Sequence, residues 1–198
     1  MQKTQNKTRL IAGCGMLTAA AVVLQYLEIP IPFIPSFIKL DFSDMPELIG
    51  AFAYGPVAGI IIALIKNVIH LAASQSGYIG ELSNFILGAA FAGTAGLIYK
   101  KKKTMKGALV GGIAGALCMA ILSFPSNLFI VYPFYYNFMP KEAVLQAYQA
   151  IVPSMETIEQ SLLVFNVPFT LIKGIFCVII SMLIYKPLSP FLHGKNNN

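Results

Sequence analysis

Residues 37–71 read FIKLDFSDMPELIGAFAYGPVAGIIIALIKNVIHL, and residues 77–85 read GYIGELSNF. An acidic, aromatic loop leads into an apolar segment that is broken once, at Gly55-Pro56. The polar or ionisable side chains that interrupt the apolar runs are Lys66, Asn67, His70, Glu81 and Asn84. An unpaired charge at the centre of a lipid-spanning helix costs about 2.5–3.5 kcal/mol. These residues are therefore expected to have partners or to line a hydrated cavity.

The composition of the chain is typical of a membrane protein. Of its 198 residues, 57% are hydrophobic and 11% are charged, and the mean hydropathy is +0.71. Soluble domains carry about 25% charged residues, and several apolar runs are long enough to cross a ~30 Å hydrocarbon core. Cys14, Cys118 and Cys177 lie far apart and match no metal-binding or disulfide spacing. The predicted fold class is an all-α membrane protein.

Basic residues flank the apolar runs and predict the orientation of the chain. They are Lys3, Lys7 and Arg9, then Lys100 to Lys103 and Lys106, and finally Lys186 and Lys195. Lysine and arginine beside membrane spans mark the cytoplasmic side, so both termini are expected there. The net charge of +6 does not indicate a nucleic-acid partner, because no soluble basic face with polar or aromatic readers accompanies it.

The same charges constrain the number of crossings. An even number of crossings must separate two cytoplasmic basic clusters, so residues 45–74 cannot form a single one. We predict two short helices hinged at Gly55-Pro56 on the cytoplasmic side, with a re-entrant hairpin as the alternative. The predicted spans are 10–27, 45–54, 56–74, 81–99, 107–132 and 161–185. The expected architecture is a six-transmembrane-helix bundle that forms one integral-membrane domain over residues 1–198.

Two segments outside the spans have a recognisable character. Residues 28–44 contain Pro30, Pro32 and Pro35, a spacing that forbids a helix, and their many apolar side chains predict a loop that folds back over a pocket as a lid. Residues 133–160 are expected to form an outer loop with a short surface helix at 141–150. Its tyrosines, with Tyr132 before it, are interpreted as an ordinary interfacial belt. A polar tail ends the chain.

Further polar side chains lie in the later spans. They are Asn127, Asn166 and Lys173. Helical spacing places Asn166 and Lys173 on one face, as it does Glu81 and Asn84. All of these groups fall in the outer halves of their helices and could line one pocket open to the outside. The alternative is structural: Lys66 and Glu81 would neutralise each other, and the asparagines would bridge helices.

The motifs do not favour catalysis. The sequence has no phosphate-binding GxxxxGK[ST] loop, and its two histidines, His70 and His193, form no metal-binding cluster. No cofactor and no enzymatic activity are expected. Aromatic and aliphatic walls with a few polar groups instead suit a flat, amphipathic small molecule. The residues expected to form those walls are Leu40, Phe42, Phe85, Phe165 and Phe169.

The first span has a face of small residues, Ala12, Gly15 and Ala19. Small residues allow helices to approach closely in lipid. This face is expected either to pack inside the bundle or to dock another membrane subunit.

The run KLDFSDMPELIGAFAYGPVAG, continued by LIKNVIHL and GELSNFILGAAF, resembles the riboflavin-specific substrate-binding (S) components of energy-coupling-factor (ECF) vitamin transporters. The resemblance covers nearly the whole chain. It implies a protein of the cell membrane that binds riboflavin from outside and associates with a transmembrane coupling protein and two ATPase subunits, through the Ala12, Gly15 and Ala19 face. The alternatives are an S component for another vitamin or for FMN, a stand-alone facilitator, and an intramembrane enzyme.

The resemblance also implies which residues bind the ligand. The loop at Leu40, Asp41 and Phe42 would cap the flavin ring. Polar contacts to the ring edge and the ribityl hydroxyls would come from Glu81, Asn84, Asn127, Asn166 and Lys173, with Phe85 at the apolar end. Lys66 and Asn67 complete the predicted ligand-binding set, although a structural role is the alternative for both.

Overall fold

The computed structural model describes residues 2–35, 38–74 and 76–193. The predicted polar tail after Tyr185 is wrong in its first part, because the last helix continues to His193. The rest of that tail, residues 194–198 with Lys195, lies outside the described residues, as does Phe37 of the predicted lid. The helices are α1 (Gln2–Tyr26), α2 (Asp44–Tyr54), α3 (Pro56–His70), α4 (Ile79–Lys101), α5 (Met105–Ser126), α6 (Tyr132–Tyr135), α7 (Lys141–Gln149), α8 (Ile158–Ser161) and α9 (Val167–His193). A 3₁₀ turn at Leu71–Ala73 extends α3, and π-helical turns at Asn127–Val131 and Leu162–Asn166 join α5 to α6 and α8 to α9.

The all-α membrane fold is confirmed. In the described part of the chain, five helical segments are long and apolar enough to cross a membrane: Lys7–Tyr26, Pro56–Ala73, Ile79–Lys101, Met105–Tyr135 and Ile158–Tyr185. The remaining predicted span corresponds to α2, whose 11 residues extend about 16 Å. This length does not cross a bilayer alone, so six crossings and two cytoplasmic termini stay predictions.

Helix α2 lies at the centre of the bundle. It packs against α1, α3, α4 and α9, and most of its residues are buried. Asp44 and Glu47 occupy its first turn, where the helix dipole favours negative charge. Gly55, with φ of +103°, ends the helix, and Pro56 opens α3. A side chain at Gly55 would be strained. The predicted break between two helices at Gly55-Pro56 is present, and its position on the cytoplasmic side stays a prediction.

Helices α4 and α5 approach each other through glycines. A Cβ at Gly111 would lie 2.7 Å from the carbonyl oxygen of Ala95, and one at Gly115 would lie 2.6 Å from that of Phe91. Real Cβ atoms do not come so near to backbone oxygens, so only glycine permits this spacing. Gly111 and Gly115 therefore give α5 a close-packing surface against α4.

The two π-helical turns each end two residues before a proline. The first ends at Val131, before Pro133, and the second ends at Asn166, before Pro168. Proline has no backbone N–H and its ring clashes with the carbonyl four residues earlier. A wider turn relieves this clash, and such turns are frequent at functional sites. The last predicted span, 161–185, is therefore interrupted by a π-helical turn before Pro168.

The prolines of the 28–44 loop leave it non-helical, as predicted. Residues Ile29–Pro30 (β1) and Lys39–Leu40 (β2) form a short antiparallel hairpin. The expectation that the protein covers the apolar side chains of this loop is wrong at two positions, because Ile29 is 50% and Phe33 is 82% exposed. Only the returning part of the loop packs inward, since the hairpin holds the turn at Phe33 away from the bundle.

The small-residue face of α1 points outward. Ala12, Gly15 and Ala19 are exposed, whereas Leu17 and Ala21, on the opposite side of the helix, join a buried cluster with Ile49 and Ile62. Of the two expectations for this face, packing inside the described part of the bundle is thus wrong.

Candidate ligand-binding site

A cavity of about 650 Å³ lies between two apolar clusters of the bundle. The central cluster includes Leu48, Phe52, Phe91, Met119 and Val178. The outer cluster includes Val131, Tyr132, Val144, Tyr148, Ile158 and Leu162. Met119 of the central cluster and Tyr132 of the outer cluster both line the cavity. The cavity is therefore bounded on two sides by packed side chains.

The structure brings most of the predicted polar residues to this cavity. Those that line it are Asp41, Glu81, Asn84, Asn127, Asn166 and Lys173, together with the predicted wall residue Phe169. They come from the loop before α2, from α4, from α9 and from the two π-helical turns. Contact with a ligand stays a prediction for each of them.

Six residues of the predicted site lie elsewhere. The residues absent from the cavity wall are Leu40, Phe42, Lys66, Asn67, Phe85 and Phe165. Phe42 packs against the central cluster. The side-chain oxygen of Asn67 accepts a hydrogen bond of 3.1 Å from the Gln25 amide, which connects α1 with α3. For Asn67 the structure thus favours the structural alternative.

Lys173 is one of two lysines, with Lys39, among the described residues that line the cavity. Its Nζ lies 2.9 Å from Oδ2 of Asp41 and 2.9 Å from Oδ2 of Asp44. The Ser43 hydroxyl and amide also donate to Asp41, which holds the loop against the start of α2. Buried charges need partners of this kind, so Lys173 fixes the loop at the cavity wall.

Lys66 lies beneath this group and is fully buried. Its Nζ lies 2.9 Å from Oδ1 of Asp44 and 2.6 Å from Oε1 of Glu47, and it donates to Ser43. Asp44 therefore bridges two lysines. The expectation that Lys66 needs a partner is confirmed, but the suggested pairing of Lys66 with Glu81 is wrong, because both of its carboxylate partners come from α2.

Glu81 has a different set of partners. Its Oε1 lies 2.9 Å from Nδ1 of His70, and its Oε2 accepts hydrogen bonds from Ser74 at 2.8 Å and Ser76 at 3.1 Å. The ring centroid of Tyr26 lies 4.9 Å from that of His70. These contacts tie α1 and the end of α3 to the start of α4 at one edge of the cavity.

Two of the three asparagines of the cavity wall are held in opposite ways. Nδ2 of Asn127 donates to the backbone oxygen of Ser123 at 2.7 Å. Oδ1 of Asn166 instead accepts from the Tyr148 hydroxyl at 2.8 Å, and the Tyr148 hydroxyl is also hydrogen-bonded to that of Tyr132. Burial raises the pKa of the Tyr148 hydroxyl above its ordinary value, so it stays a donor at neutral pH.

Tyr148 corrects one expectation from the sequence. The predicted helix at 141–150 is present as α7, but Tyr132 and Tyr148 do not lie in an interfacial belt, because both are buried in the outer cluster. Sequence reasoning also missed Gln25, Asp44 and Thr170. The spacing of Asp44 and Glu47, three residues apart at a helix start, is a signal that could have identified the partners of Lys66.

Comparison with known proteins gives consistent matches over nearly the whole chain. Residues 9–185 match the model of the family described as "ECF transporter, substrate-specific component". Riboflavin transporter RibU of Staphylococcus aureus is 38% identical over 188 residues, which are 95% of this chain and 93% of that protein. Riboflavin transporter FmnP of Bacillus subtilis is 32% identical over 194 residues, with 96% and 97% covered.

The fold also matches a solved structure. A chain described under "Structure and mechanism of the S component of a bacterial ECF transporter" has a TM-score of 0.73 and 38% identity to this one, with 96% of this chain and 99% of that chain covered.

Proposed function

Because the chain belongs to the family of substrate-specific components of ECF transporters, we propose that it is the high-affinity riboflavin-binding subunit of such a transporter. It captures riboflavin from outside the cell and delivers it inward with an ATP-driven coupling module. The names of the relatives that span its whole length support riboflavin as the ligand. The expected location is the cell membrane.

The observation that carries this proposal is the cavity itself. Its volume of about 650 Å³ falls in the range of about 300–1,000 Å³ typical of small-molecule sites. Its wall combines Phe169, Leu87 and Met119 with the amides of three asparagines. An apolar surface with a few polar groups suits a flat ring system that has hydrogen-bonding edges.

The charges of the wall favour an uncharged ligand. Among the described residues that line the cavity, Lys173 is paired with Asp41 and Asp44, Lys39 with Glu28, and His70 with Glu81. Lys66, the second lysine available for a phosphate, is fully buried among its own carboxylates. Binding a phosphate would require one of these pairs to separate. We therefore prefer riboflavin to the alternative ligand FMN.

The roles of the wall residues follow from their chemistry. Asn84, Asn127, Asn166 and Lys173 supply donors and acceptors for the ring carbonyls, the imide and the ribityl hydroxyls, and Glu81 supplies acceptors. The loop at Leu40, Asp41 and Phe42 closes over the ring, with Asp41 held by Lys173. Phe169, which lines the cavity, covers the apolar end. No cofactor and no catalytic step are part of this proposal.

The outward face of α1 supports association with further subunits. Ala12, Gly15 and Ala19 are exposed, and small residues allow another helix to approach closely in lipid. We assign this face to the transmembrane coupling protein, which in turn binds two ATPases.

Titration of the purified chain with riboflavin tests the proposal. We expect one-to-one binding, seen as quenching of flavin fluorescence, and a yellow protein as purified. FMN in the same titration should bind more weakly. A chain that binds neither flavin, or that passes riboflavin into ATP-free liposomes without partner proteins, would contradict the proposal. The second outcome would favour a stand-alone facilitator.

A further inference from the structure

We infer that Tyr148, which lies behind the cavity wall, is a positioning residue that orients the Asn166 side chain so that its amide NH₂ group faces the ligand. The inference rests on the proposed function, because the ligand used to test it is riboflavin. It assigns a role in ligand recognition to α7, a helix that the cavity does not reach.

The first step is the direction of the hydrogen bonds. The Tyr148 hydroxyl donates to Oδ1 of Asn166 at 2.8 Å. A hydroxyl has one proton to donate, so Tyr148 accepts, and does not donate, in its contact with the Tyr132 hydroxyl. The three groups thus form a chain of donors that runs from Tyr132 through Tyr148 to Asn166.

The second step is to identify the atom of Asn166 that these hydrogen bonds leave available to a ligand. Oδ1 of Asn166 accepts the hydrogen bond from Tyr148, which leaves Nδ2 as the other polar atom of the amide. Asn166 lines the cavity, so Nδ2 is the group left to bind a ligand. An amide NH₂ is a donor only. Asn166 therefore selects an acceptor, such as a ring carbonyl.

Asn127 provides an internal comparison. Its Nδ2 is occupied by the backbone oxygen of Ser123 at 2.7 Å, so its Oδ1 remains for the ligand and selects a donor. The two asparagines present opposite groups to one cavity. Only Asn166 depends on a side chain for this choice, because the partner of Asn127 is backbone.

The third step is that Tyr148 is itself held in place. Its side chain is fully buried, and its ring centroid lies 5.3 Å from that of Phe165. Tyr132 supplies a second polar contact. Packing and hydrogen bonding on several sides fix the Tyr148 hydroxyl. A fixed hydroxyl in turn prevents the Asn166 amide from rotating to exchange its Oδ1 and Nδ2 positions.

A double-mutant cycle tests the inference. Riboflavin affinity is measured for the unsubstituted chain, Tyr148→Phe, Asn166→Ala and the double variant. We expect Tyr148→Phe to weaken binding about fivefold, the effect of losing one hydrogen bond, and to have no further effect once Asn166 is alanine. Tyr136→Phe removes a hydroxyl from the same cluster without touching Asn166 and should leave the affinity unchanged.

The cycle separates positioning from a merely structural role. In an Asn127→Ala background, Tyr148→Phe should again cost about fivefold, since distant and independent effects add. If Tyr148→Phe lowered riboflavin affinity equally in the Asn166→Ala and unsubstituted backgrounds, the inference would be overturned, but the proposed function would stay intact. Failure of the unsubstituted chain to bind riboflavin would overturn both.

A second variant covers the case in which Tyr148→Phe does not fold. Asn166→Asp keeps an oxygen for the Tyr148 hydroxyl but turns the cavity-facing group from a donor into an acceptor. We expect riboflavin binding at least as weak as in Asn166→Ala. Affinity equal to that of the unsubstituted chain would show that the NH₂ group is not used and would overturn the inference.

Discussion

Nζ of Lys66 lies 2.6 Å from Oε1 of Glu47, and both side chains are fully buried. The contact joins α3 to the first turn of α2, the helix around which the bundle packs. Because these charges lie away from water and cannot be compensated by it, the pair acts on the stability of the fold.

Replacement of Lys66 by Met is expected to lower the free energy of unfolding by about 3–5 kcal/mol, the cost of breaking a buried ion pair. The substitution keeps most of the length of the side chain and leaves Glu47 without its cation. Reversible unfolding of the detergent-solubilised protein measures the change. Lys39→Met is the control. Its partnership with Glu28 is solvent-exposed (37% and 32%), so its effect should stay below about 1 kcal/mol. Equal stability of the two variants would contradict the prediction.

Removal of both charges is expected to be less harmful than removal of one. In Lys66→Met combined with Glu47→Met, the unpaired carboxylate is absent and Asp44 retains Lys173. Replacement of a buried ion pair by apolar side chains is often close to neutral, so most of the lost stability should return. The same unfolding measurement gives the stability of the double variant. A double variant less stable than Lys66→Met would show that the two charges do not act as a unit.

Lys173→Ala is expected to weaken riboflavin binding about tenfold or more, the loss typical of a hydrogen bond from a charged group. Lys173 lines the cavity and holds Asp41 of the overlying loop. Fluorescence titration measures the affinity, and a ligand-free unfolding curve checks that the variant is folded. Lys100→Ala, at the exposed end of α4, should bind normally. An unchanged Lys173→Ala titration removes this residue from the site.

Gly115→Ala and Gly15→Ala should have opposite effects on stability. A Cβ at Gly115 would lie 2.6 Å from the carbonyl oxygen of Phe91, whereas one at Gly15 would have nothing within 4 Å. We expect Gly115→Ala to destabilise the protein by about 1–3 kcal/mol through overpacking. Gly15→Ala should stabilise it by up to about 1 kcal/mol through helix propensity. Unfolding curves that shift in the same direction would refute the comparison.

Gly15→Trp is expected to leave riboflavin binding intact and to abolish uptake by the assembled transporter. The residue is exposed on the small-residue face of α1, so a large ring there does not disturb the bundle but prevents close approach of another helix. Uptake of labelled riboflavin measures the effect. Ile121→Trp, at a position of α5 that is also exposed, is the matched control. Normal uptake by Gly15→Trp would show that coupling proteins dock elsewhere.

Local signals in the sequence were sufficient for much of the fold. Hydropathy identified the long spans, and Gly55-Pro56 identified the break between α2 and α3, because both effects act over a few residues. The cost of charge in lipid also identified Lys66 and Lys173 as residues that need partners. The choice of partner was not local. Asp44 and Glu81 are both close to Lys66 along the chain, and only the packing of α2 brings Asp44 to it.

The cavity residues show the same limit. Asn127, Asn166 and Lys173 could be grouped because each is a costly polar side chain in an apolar span. Tyr148 could not be assigned to the site from the sequence, because tyrosine occurs both at membrane interfaces and in buried clusters. Its contact with Asn166 depends on how α7 folds against the outer cluster, which no spacing in the sequence encodes.

The π-helical turns at Asn127–Val131 and Leu162–Asn166 also affect which mutations the chain tolerates. Each holds one residue more than an α-helical turn, and one residue corresponds to a rotation of about 100°. Because the wider turn absorbs this extra residue, deletion of one amino acid within it would restore an α-helical turn and leave the neighbouring helix faces nearly in place. The same deletion would bring back the clash of Pro133 or Pro168 with the carbonyl four residues earlier.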